Sequence, residues 1–197
     1  ILEGMSGYDP KDSTSLKLPS PDLTKNLKNS IQGMKIGLPK EFFEKDMPSY
    51  VEQSIQEAIE TYKSLGAEIV EVSLKNINLS LPIYYIIAPA ECSANLSRYD
   101  GVRYGYRCED PKDIEDLYMR TREEGFGAEV KRRILIGTYA LSAGFYDAYY
   151  LKAQKCRQLV ANDFTNAFES VDVILSPTAP GTAFKAGEKT DDPIEMY

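Results

Sequence analysis

Arginine is the residue type whose placement in this sequence points most directly to chemistry. Lys131, Arg132 and Arg133 stand together in a segment with a helical pattern, where successive side chains point about 100° apart. One of the two arginines should therefore face inward while the other is solvated. A buried guanidinium needs a partner, and its planar fork suits a carboxylate best. The segment predicts an arginine that holds either a carboxylate ligand or an internal salt bridge.

Two further segments carry residues that suit a binding site. Residues 98–107 interleave arginines, tyrosines and glycines in a loop, which either binds a carboxylate or forms a hydrogen-bonded structural turn; we favour the turn. Residues 176–180 follow a short apolar strand. Ligands of open α/β sheets gather beyond the carboxyl ends of the strands, so this loop is predicted to form one wall of a site.

The composition excludes several classes of catalysis within these 197 residues. Histidine is absent, so neither a Ser-His-Asp nor a Cys-His arrangement is possible here. Cys92, Cys108 and Cys156 lie too far apart for a CxxC pair, and no metal site is predicted. Three widely spaced cysteines indicate reduced thiols, which places the protein in the cytoplasm. No glycine-rich nucleotide motif occurs.

The charge balance argues against a broad nucleic-acid surface. The chain has 23 Lys and Arg against 30 Asp and Glu, a net charge of −7, whereas phosphate-binding faces are basic. Residues 98–133 are densely charged but balanced, as a solvated face would be. No apolar run approaches the roughly 20 residues of a membrane span, so no membrane contact is predicted. Because the first residue is Ile1, we expect a piece of a longer chain.

The elements that must position these residues begin with a βαβ unit. Residues 34–38 and 68–72 are predicted strands. Between them Val51, Ile55 and Ile59 recur at helical spacing, with Pro48 before the helix and Gly66 after it. This order predicts an α/β sheet with parallel pairing. Residues 11–30 are predicted to be an extended surface link, and residues 1–4 to be the end of a helix.

The second half of the chain is predicted to be helix-rich. Gly144, Ala148 and Ala153 lie among tyrosines in the longest segment, which suggests close helix packing. The predicted helices cover residues 81–96, 114–122, 128–135 and 140–169, and a last strand covers residues 171–175. We expect residues 1–197 to form a single, partial domain.

Longer motifs make the sequence recognisable. They are YDGVRYGYR at 99–107, EGFGAEVKRRI at 124–134, GFYDAYY at 144–150, PTAP at 177–180 and DDP at 191–193. In this order they resemble the amidase signature family, and within it the glutamine-hydrolysing subunits of tRNA-dependent amidotransferases. The resemblance runs from residues 7–12 to residues 196–197. It implies part of the amidase signature fold, a mixed sheet flanked by helices.

The resemblance also implies an activity and its partners. Such a subunit hydrolyses glutamine and passes the ammonia to a B subunit, which uses ATP and Mg²⁺ to convert Glu-tRNA(Gln) to Gln-tRNA(Gln), with a small C subunit clasping the pair. tRNA is bound mainly by the partner. The family's Ser-Ser-Lys signature is absent from this sequence, so no catalytic residue is assigned and the segment alone is expected to be inactive.

The substrate-binding residues implied by the resemblance are Tyr84 and Arg133. Tyr85 is a less favoured candidate for the tyrosine, and a further Asp would lie just beyond Tyr197. The competing interpretations are that Tyr84 is a core aromatic residue and that Arg133 forms an internal ion pair. At the level of the whole protein, two alternatives remain. The chain is part of another amidase-signature hydrolase, or it is a binding or scaffold module without catalysis.

Overall fold

The βαβ unit predicted from the sequence is present in the computed structural model, which describes residues 1–43, 47–179 and 181–188. Pro180 and the DDP motif at 191–193 lie outside the described residues. The helices and strands in chain order are α1 Leu2–Met5, β1 Lys35–Pro39, α2 Ser49–Ser64, β2 Glu68–Val72, α3 Ser80–Leu96, α4 Ile114–Gly125, α5 Ala128–Leu141, α6 Lys152–Ala167 and β3 Val173–Ile174.

The three strands pair in the order β2-β1-β3, and both pairings are parallel. Ile36 of β1 lies opposite Ile69 of β2 on one side and Val173 of β3 on the other. The α/β class and the helix-rich second half are confirmed. The resemblance implies a mixed sheet, whereas the strand pairs of the described residues are parallel.

The core beside the sheet is apolar and tightly packed. Val72, Leu74, Ala167 and Val171 form a buried cluster, so the end of β2 packs against the end of α6. Gly37 in the central strand leaves room for this packing, since a Cβ there would lie 2.9 Å from Val171 Cγ2. Burial of these side chains, rather than helix or strand propensity, stabilises the sheet.

Helices α3 and α5 pack against each other through a glycine. A Cβ at Gly137 of α5 would lie 1.9 Å from the carbonyl oxygen of Pro89 in α3, and both residues are buried. Only a residue without a side chain lets two helix backbones approach this closely. The contact sets the separation of the two helices that carry Tyr84 and Arg133.

The prediction of a single helix over residues 140–169 is wrong. Helix α5 ends at Leu141, a turn follows, and a π-helical turn at Tyr146–Leu151 leads into α6. Gly144 has a φ of +87°, which a right-handed helix does not allow, and no atom lies within 4 Å of its would-be Cβ. Gly144 therefore makes a turn and does not mediate packing. Ala148 is exposed, so the predicted burial holds for Ala153 but not for Ala148.

Other element boundaries differ from the predicted ones by a few residues. Helix α4 continues to Gly125 and α5 to Leu141, three and six residues past the predicted ends, and β3 covers two residues where five were predicted. Residues 11–30 contain turns and bends but no helix or strand. No helix within the described ranges is both long and apolar enough to cross a membrane.

Glu41 links the ends of β1 and β2. It follows β1 in a 3₁₀ turn, and its carboxylate accepts hydrogen bonds from the Ser73 hydroxyl at 2.5 Å and the Leu74 backbone N–H at 2.9 Å. Desolvation raises the pKa of Glu41, but the hydrogen bonds from Leu74 and Ser73 outweigh it and leave the pKa below the ordinary value of 4.5. The ionised form is therefore the one that stabilises the fold.

This pKa predicts how stability depends on pH. A lowered folded-state pKa contributes stability that is fully present above the unfolded value near 4.5 and is lost as the pH falls through the folded value. Glu41→Gln should therefore lower the free energy of unfolding at pH 7, with a difference that shrinks below about pH 4.5. Chemical denaturation across this pH range measures the difference. Ser73→Ala removes one of the two hydrogen bonds, so it should lower the free energy of unfolding at pH 7 by part of the same amount. A difference that stays constant with pH would contradict the role of the ionised carboxylate.

Candidate functional site

Arg133 and Tyr84, named from the resemblance, are in direct contact in the structure. Arg133 Nη1 donates a hydrogen bond to the Tyr84 hydroxyl at 2.9 Å, and its guanidinium carbon lies 5.8 Å from the centre of the Tyr84 ring. Arg133 lies about one turn before Gly137 in α5. The close approach of α5 to α3 therefore brings together two residues that are 49 positions apart.

The two neighbouring arginines differ in exposure, as the helical spacing predicts. The side chain of Arg133 is 19% exposed and that of Arg132 is 60% exposed. Arg133 Nε donates to Glu129 Oε1 at 3.0 Å, and Arg132 Nη1 donates to Glu129 Oε2 at 2.6 Å. The inward-facing residue of the pair is therefore Arg133.

The ion-pair interpretation of Arg133 is thus observed, and it is compatible with ligand binding. Glu129 is 54% exposed, and ion pairs with exposed carboxylates contribute little to stability. A guanidinium carries five N–H donors around its plane and can hold several partners at once. A half-buried arginine against a tyrosine hydroxyl is an arrangement that can bind a carboxylate.

Tyr84 is partly exposed, so it is not a buried core aromatic residue. Its side chain joins Arg133 on one side and packs edge-on against Tyr85, with ring centres 5.5 Å apart. Tyr85 is half-buried. Of the two candidate tyrosines, Tyr84 is the one whose hydroxyl accepts the hydrogen bond from Arg133.

The loop at 98–107 forms the structural turn that we favour. Gly101 and Gly105 have φ values of +80° and +84°, and a Cβ at Gly101 would lie 2.7 Å from Thr121 Oγ1. Arg122 of α4 donates to the carbonyl oxygens of Leu96 and Tyr99 at 2.8 and 3.1 Å. The loop is therefore held by side chains that bond to its backbone, from α4 and from within the loop.

A short hydrogen bond closes the outer side of the same loop. The Tyr106 hydroxyl donates to Glu124 Oε2 at 2.5 Å, and Arg120 Nε donates to Glu124 Oε1 at 3.2 Å. The bond to Glu124 raises the pKa of Tyr106, while the bonds from Tyr106 and Arg120 lower the pKa of Glu124 against its desolvation. Both shifts favour the observed bond at neutral pH.

The loop after β3 lies near α2. Beyond residues 176–179, the backbone N–H of Thr182 donates to the hydroxyl of Tyr50, the second residue of α2, at 3.3 Å. The Arg133 and Tyr84 pair lies between α5 and α3 instead. That residues 176–180 form a wall of the site stays a prediction.

Sequence reasoning missed Glu129 and Gly137. The signal for Glu129 was present, because it precedes Arg133 by four residues in the first turn of a helix, where an acidic residue is favoured. Gly137 had no such signal, since its role depends on a residue of another helix. In residues 1–43, 47–179 and 181–188, no group of three or more Cys, Asp or Glu side chains is placed to hold a metal ion.

The fold and the site together define an α/β protein with a half-buried arginine that contacts a tyrosine hydroxyl of a second helix. The family model described as Amidase matches residues 1–197, and the chain belongs to this family. It is 64% identical over 193 residues to the A subunit of the glutamyl-tRNA(Gln) amidotransferase of Thioalkalivibrio sulfidiphilus. It is 61% identical over 197 residues to the corresponding protein of Alkalilimnicola ehrlichii.

The matches cover nearly all of this chain but less than half of each relative. The match to the Thioalkalivibrio protein includes 98% of this chain but 40% of the relative, and the match to the Alkalilimnicola protein includes 100% and 41%. The chain therefore spans about two fifths of the length of its relatives.

Solved structures show the same fold. The A subunit of the glutamyl-tRNA(Gln) amidotransferase of Thermotoga maritima superposes with a TM-score of 0.64 at 35% identity, over 96% of this chain and 36% of that one. A bacterial aryl acylamidase of the amidase signature family superposes with a TM-score of 0.54 at 20% identity, over 90% and 35%. The second likeness concerns the fold alone.

Proposed function

We propose that this chain is the substrate-binding portion of the glutamine-hydrolysing subunit of a tRNA-dependent amidotransferase. The whole of that glutamine-hydrolysing subunit is called the complete subunit below. The observation that carries the proposal is the contact between Arg133 and Tyr84. The resemblance names these two residues for glutamine binding independently of their contact. Identity of 64% over nearly the whole chain to the A subunit of a glutamyl-tRNA(Gln) amidotransferase supports the same assignment.

Arg133 would bind the α-carboxylate of glutamine through its planar fork. The contacts with Tyr84 and Glu129 orient the guanidinium, and its 19% exposure reduces competition from water. The Tyr84 hydroxyl accepts a hydrogen bond from Arg133 and so helps to hold the guanidinium at the site. The side-chain amide of glutamine would then extend toward the catalytic residues, which in this family belong to the Ser-Ser-Lys signature.

The reaction would release ammonia for a second subunit. The amide nitrogen of glutamine leaves as ammonia and the carbonyl carbon becomes the carboxylate of glutamate. The B subunit would use that ammonia, with ATP and Mg²⁺, to convert Glu-tRNA(Gln) to Gln-tRNA(Gln), and a C subunit would complete the heterotrimer. No cofactor is assigned to residues 1–197.

Two alternatives predict different results in the same assays. If the parent is another amide hydrolase of the family, the complete subunit should release ammonia from amides without an α-carboxylate as readily as from glutamine. If the chain is a binding or scaffold module, no hydrolysis of either substrate should be measurable. The arginine placed against Tyr84 favours a substrate that carries a carboxylate.

The isolated polypeptide of residues 1–197 should release no ammonia from glutamine above the buffer background. Hydrolysis by this route needs an activated nucleophile, and the Ser-Ser-Lys signature of the family is absent from the sequence. The complete subunit, together with its partners, should release ammonia and form Gln-tRNA(Gln). A coupled ammonia assay and tRNA charging measure the two activities. Ammonia release by the isolated polypeptide, or an assembled complex that forms no Gln-tRNA(Gln), would contradict the proposal.

A further inference from the structure

Glu129 is an exposed carboxylate shared between two arginines at the start of α5. One oxygen accepts from Arg133 Nε at 3.0 Å and the other from Arg132 Nη1 at 2.6 Å. Glu129 is the second residue of α5, where the partial positive charge of a helix N-terminus favours an acid. The spacing of Glu129 and Arg133, with the acid four residues before the base, is the favourable order on a helix.

Two contacts of Arg133 lie at different corners of its guanidinium. Glu129 holds the Nε corner from within α5, and Tyr84 holds Nη1 from α3. Together with the bond from Nε to Cδ, these two corners fix the plane of the group. A two-point contact with a carboxylate ligand depends on that orientation, because the donors of arginine form a rigid fork.

We propose that Glu129 is a positioning residue for glutamine binding, which acts by holding Arg133 in place before the substrate arrives. The proposal rests on the proposed function. A side chain that is already ordered loses less rotamer freedom when the ligand binds, so its contribution appears as tighter binding. Glu129 should therefore affect the KM for glutamine and leave the chemical step unchanged.

The test compares Glu129 variants in the complete subunit with its partners. Glu129→Ala should raise the KM for glutamine about five- to tenfold, because a charge-assisted hydrogen bond to Arg133 is lost. We expect kcat to change less than about twofold, since Glu129 is not assigned to the chemical step. Glu129→Gln keeps an oxygen that accepts from Arg133 Nε and should bring KM within about threefold of the wild type. Synthesis of Gln-tRNA(Gln) from free ammonia should be unchanged in both variants.

Glu60→Ala is the matched control. Glu60 is also an exposed helical carboxylate with two partners, since it pairs with Lys63 at 2.8 Å and accepts from Gln56 at 3.1 Å, but it belongs to α2. Its loss should lower the melting temperature about as much as the loss of Glu129 and leave KM unchanged. If Glu129→Ala lowers the melting temperature and leaves KM unchanged as well, Glu129 is only a structural ion pair and the proposal is overturned.

A double variant separates this inference from the proposed function. In the Arg133→Lys variant, the further change Glu129→Ala should add no increase in KM if Glu129 acts through Arg133. An additive increase would overturn the positioning role. If Arg133→Lys itself leaves the KM for glutamine unchanged, the proposed binding site is wrong. If Arg133→Lys raises KM and Glu129→Ala does not, the inference about Glu129 alone fails.

Discussion

Arg133→Lys in the complete subunit should lower kcat/KM for glutamine by at least about thirtyfold, because losing the two-point contact between a mostly buried guanidinium and a carboxylate costs about 2–5 kcal/mol. Lysine keeps the positive charge but presents a single ammonium instead of a planar fork. It also lacks the Nε that holds Glu129 and the geometry that reaches Tyr84 at the same time. Steady-state release of ammonia from glutamine measures the effect.

Three controls distinguish binding from folding in this experiment. Free ammonia as nitrogen donor bypasses the glutamine site, so ammonia-dependent synthesis of Gln-tRNA(Gln) should survive the substitution. Arg132→Lys should be mild in both assays, since the Arg132 side chain is 60% exposed and pairs with the outer oxygen of Glu129. The amide 4-aminobutanamide lacks the α-carboxylate, and its slow hydrolysis should not respond to Arg133→Lys. If Arg133→Lys instead lowers both activities together with the melting temperature, Arg133 is a structural ion pair.

Gly137→Ala should lower the free energy of unfolding by about 2–3 kcal/mol, because overpacking at a rigid contact outweighs the propensity that alanine gains. The new Cβ would lie 1.9 Å from the Pro89 carbonyl oxygen and 2.4 Å from its carbonyl carbon. Both are backbone atoms of Pro89, a buried residue of α3, so no side-chain rotation relieves the clash and α3 must move away from α5. Alanine is favoured over glycine inside a helix by only about 1 kcal/mol. Chemical denaturation measures the net loss.

Gly127→Ala is the control for this substitution. Gly127 precedes α5 with a φ of −66°, and no atom lies within 4 Å of its would-be Cβ. Gly127 is the N-cap of α5, where alanine is less favourable than glycine, so we expect a loss of about 1 kcal/mol or less. Gly137→Ala should also weaken glutamine binding, because moving α5 separates Arg133 from Tyr84. Equal stability of the two variants would show that α3 and α5 accommodate a methyl group at their contact.

Much of the fold could be predicted because its signals are local. The spacing of Val51, Ile55 and Ile59 and the positions of Pro48 and Gly66 predict helix α2 between two strands, and the structure contains α2 at Ser49–Ser64 between β1 and β2. Apolar periodicity, proline and glycine act on neighbouring residues, so they do not depend on the rest of the chain. Where periodicity was the only guide, between residues 140 and 169, it missed the turn at Gly144.

The site could not be predicted from local sequence patterns alone. Helical spacing correctly predicts that one of Arg132 and Arg133 faces inward, and resemblance to a family names Arg133 and Tyr84. The spacing of Glu129 and Arg133 on the helix could have indicated their ion pair. Neither signal predicts the hydrogen bond from Arg133 to the Tyr84 hydroxyl, which joins two different helices.

The sequence by itself determined the α/β class, the βαβ unit and the helix-rich second half, because periodicity depends on residues near one another in the chain. The absence of histidine chemistry from these residues follows from composition alone. Only the tertiary structure decided how far apart α3 and α5 lie. That distance depends on Gly137 meeting the backbone of Pro89, which is 48 residues away in the chain. A contact between distant helices is selected by the packing of both surfaces at once, and the pairing of Arg133 with Tyr84 follows from it.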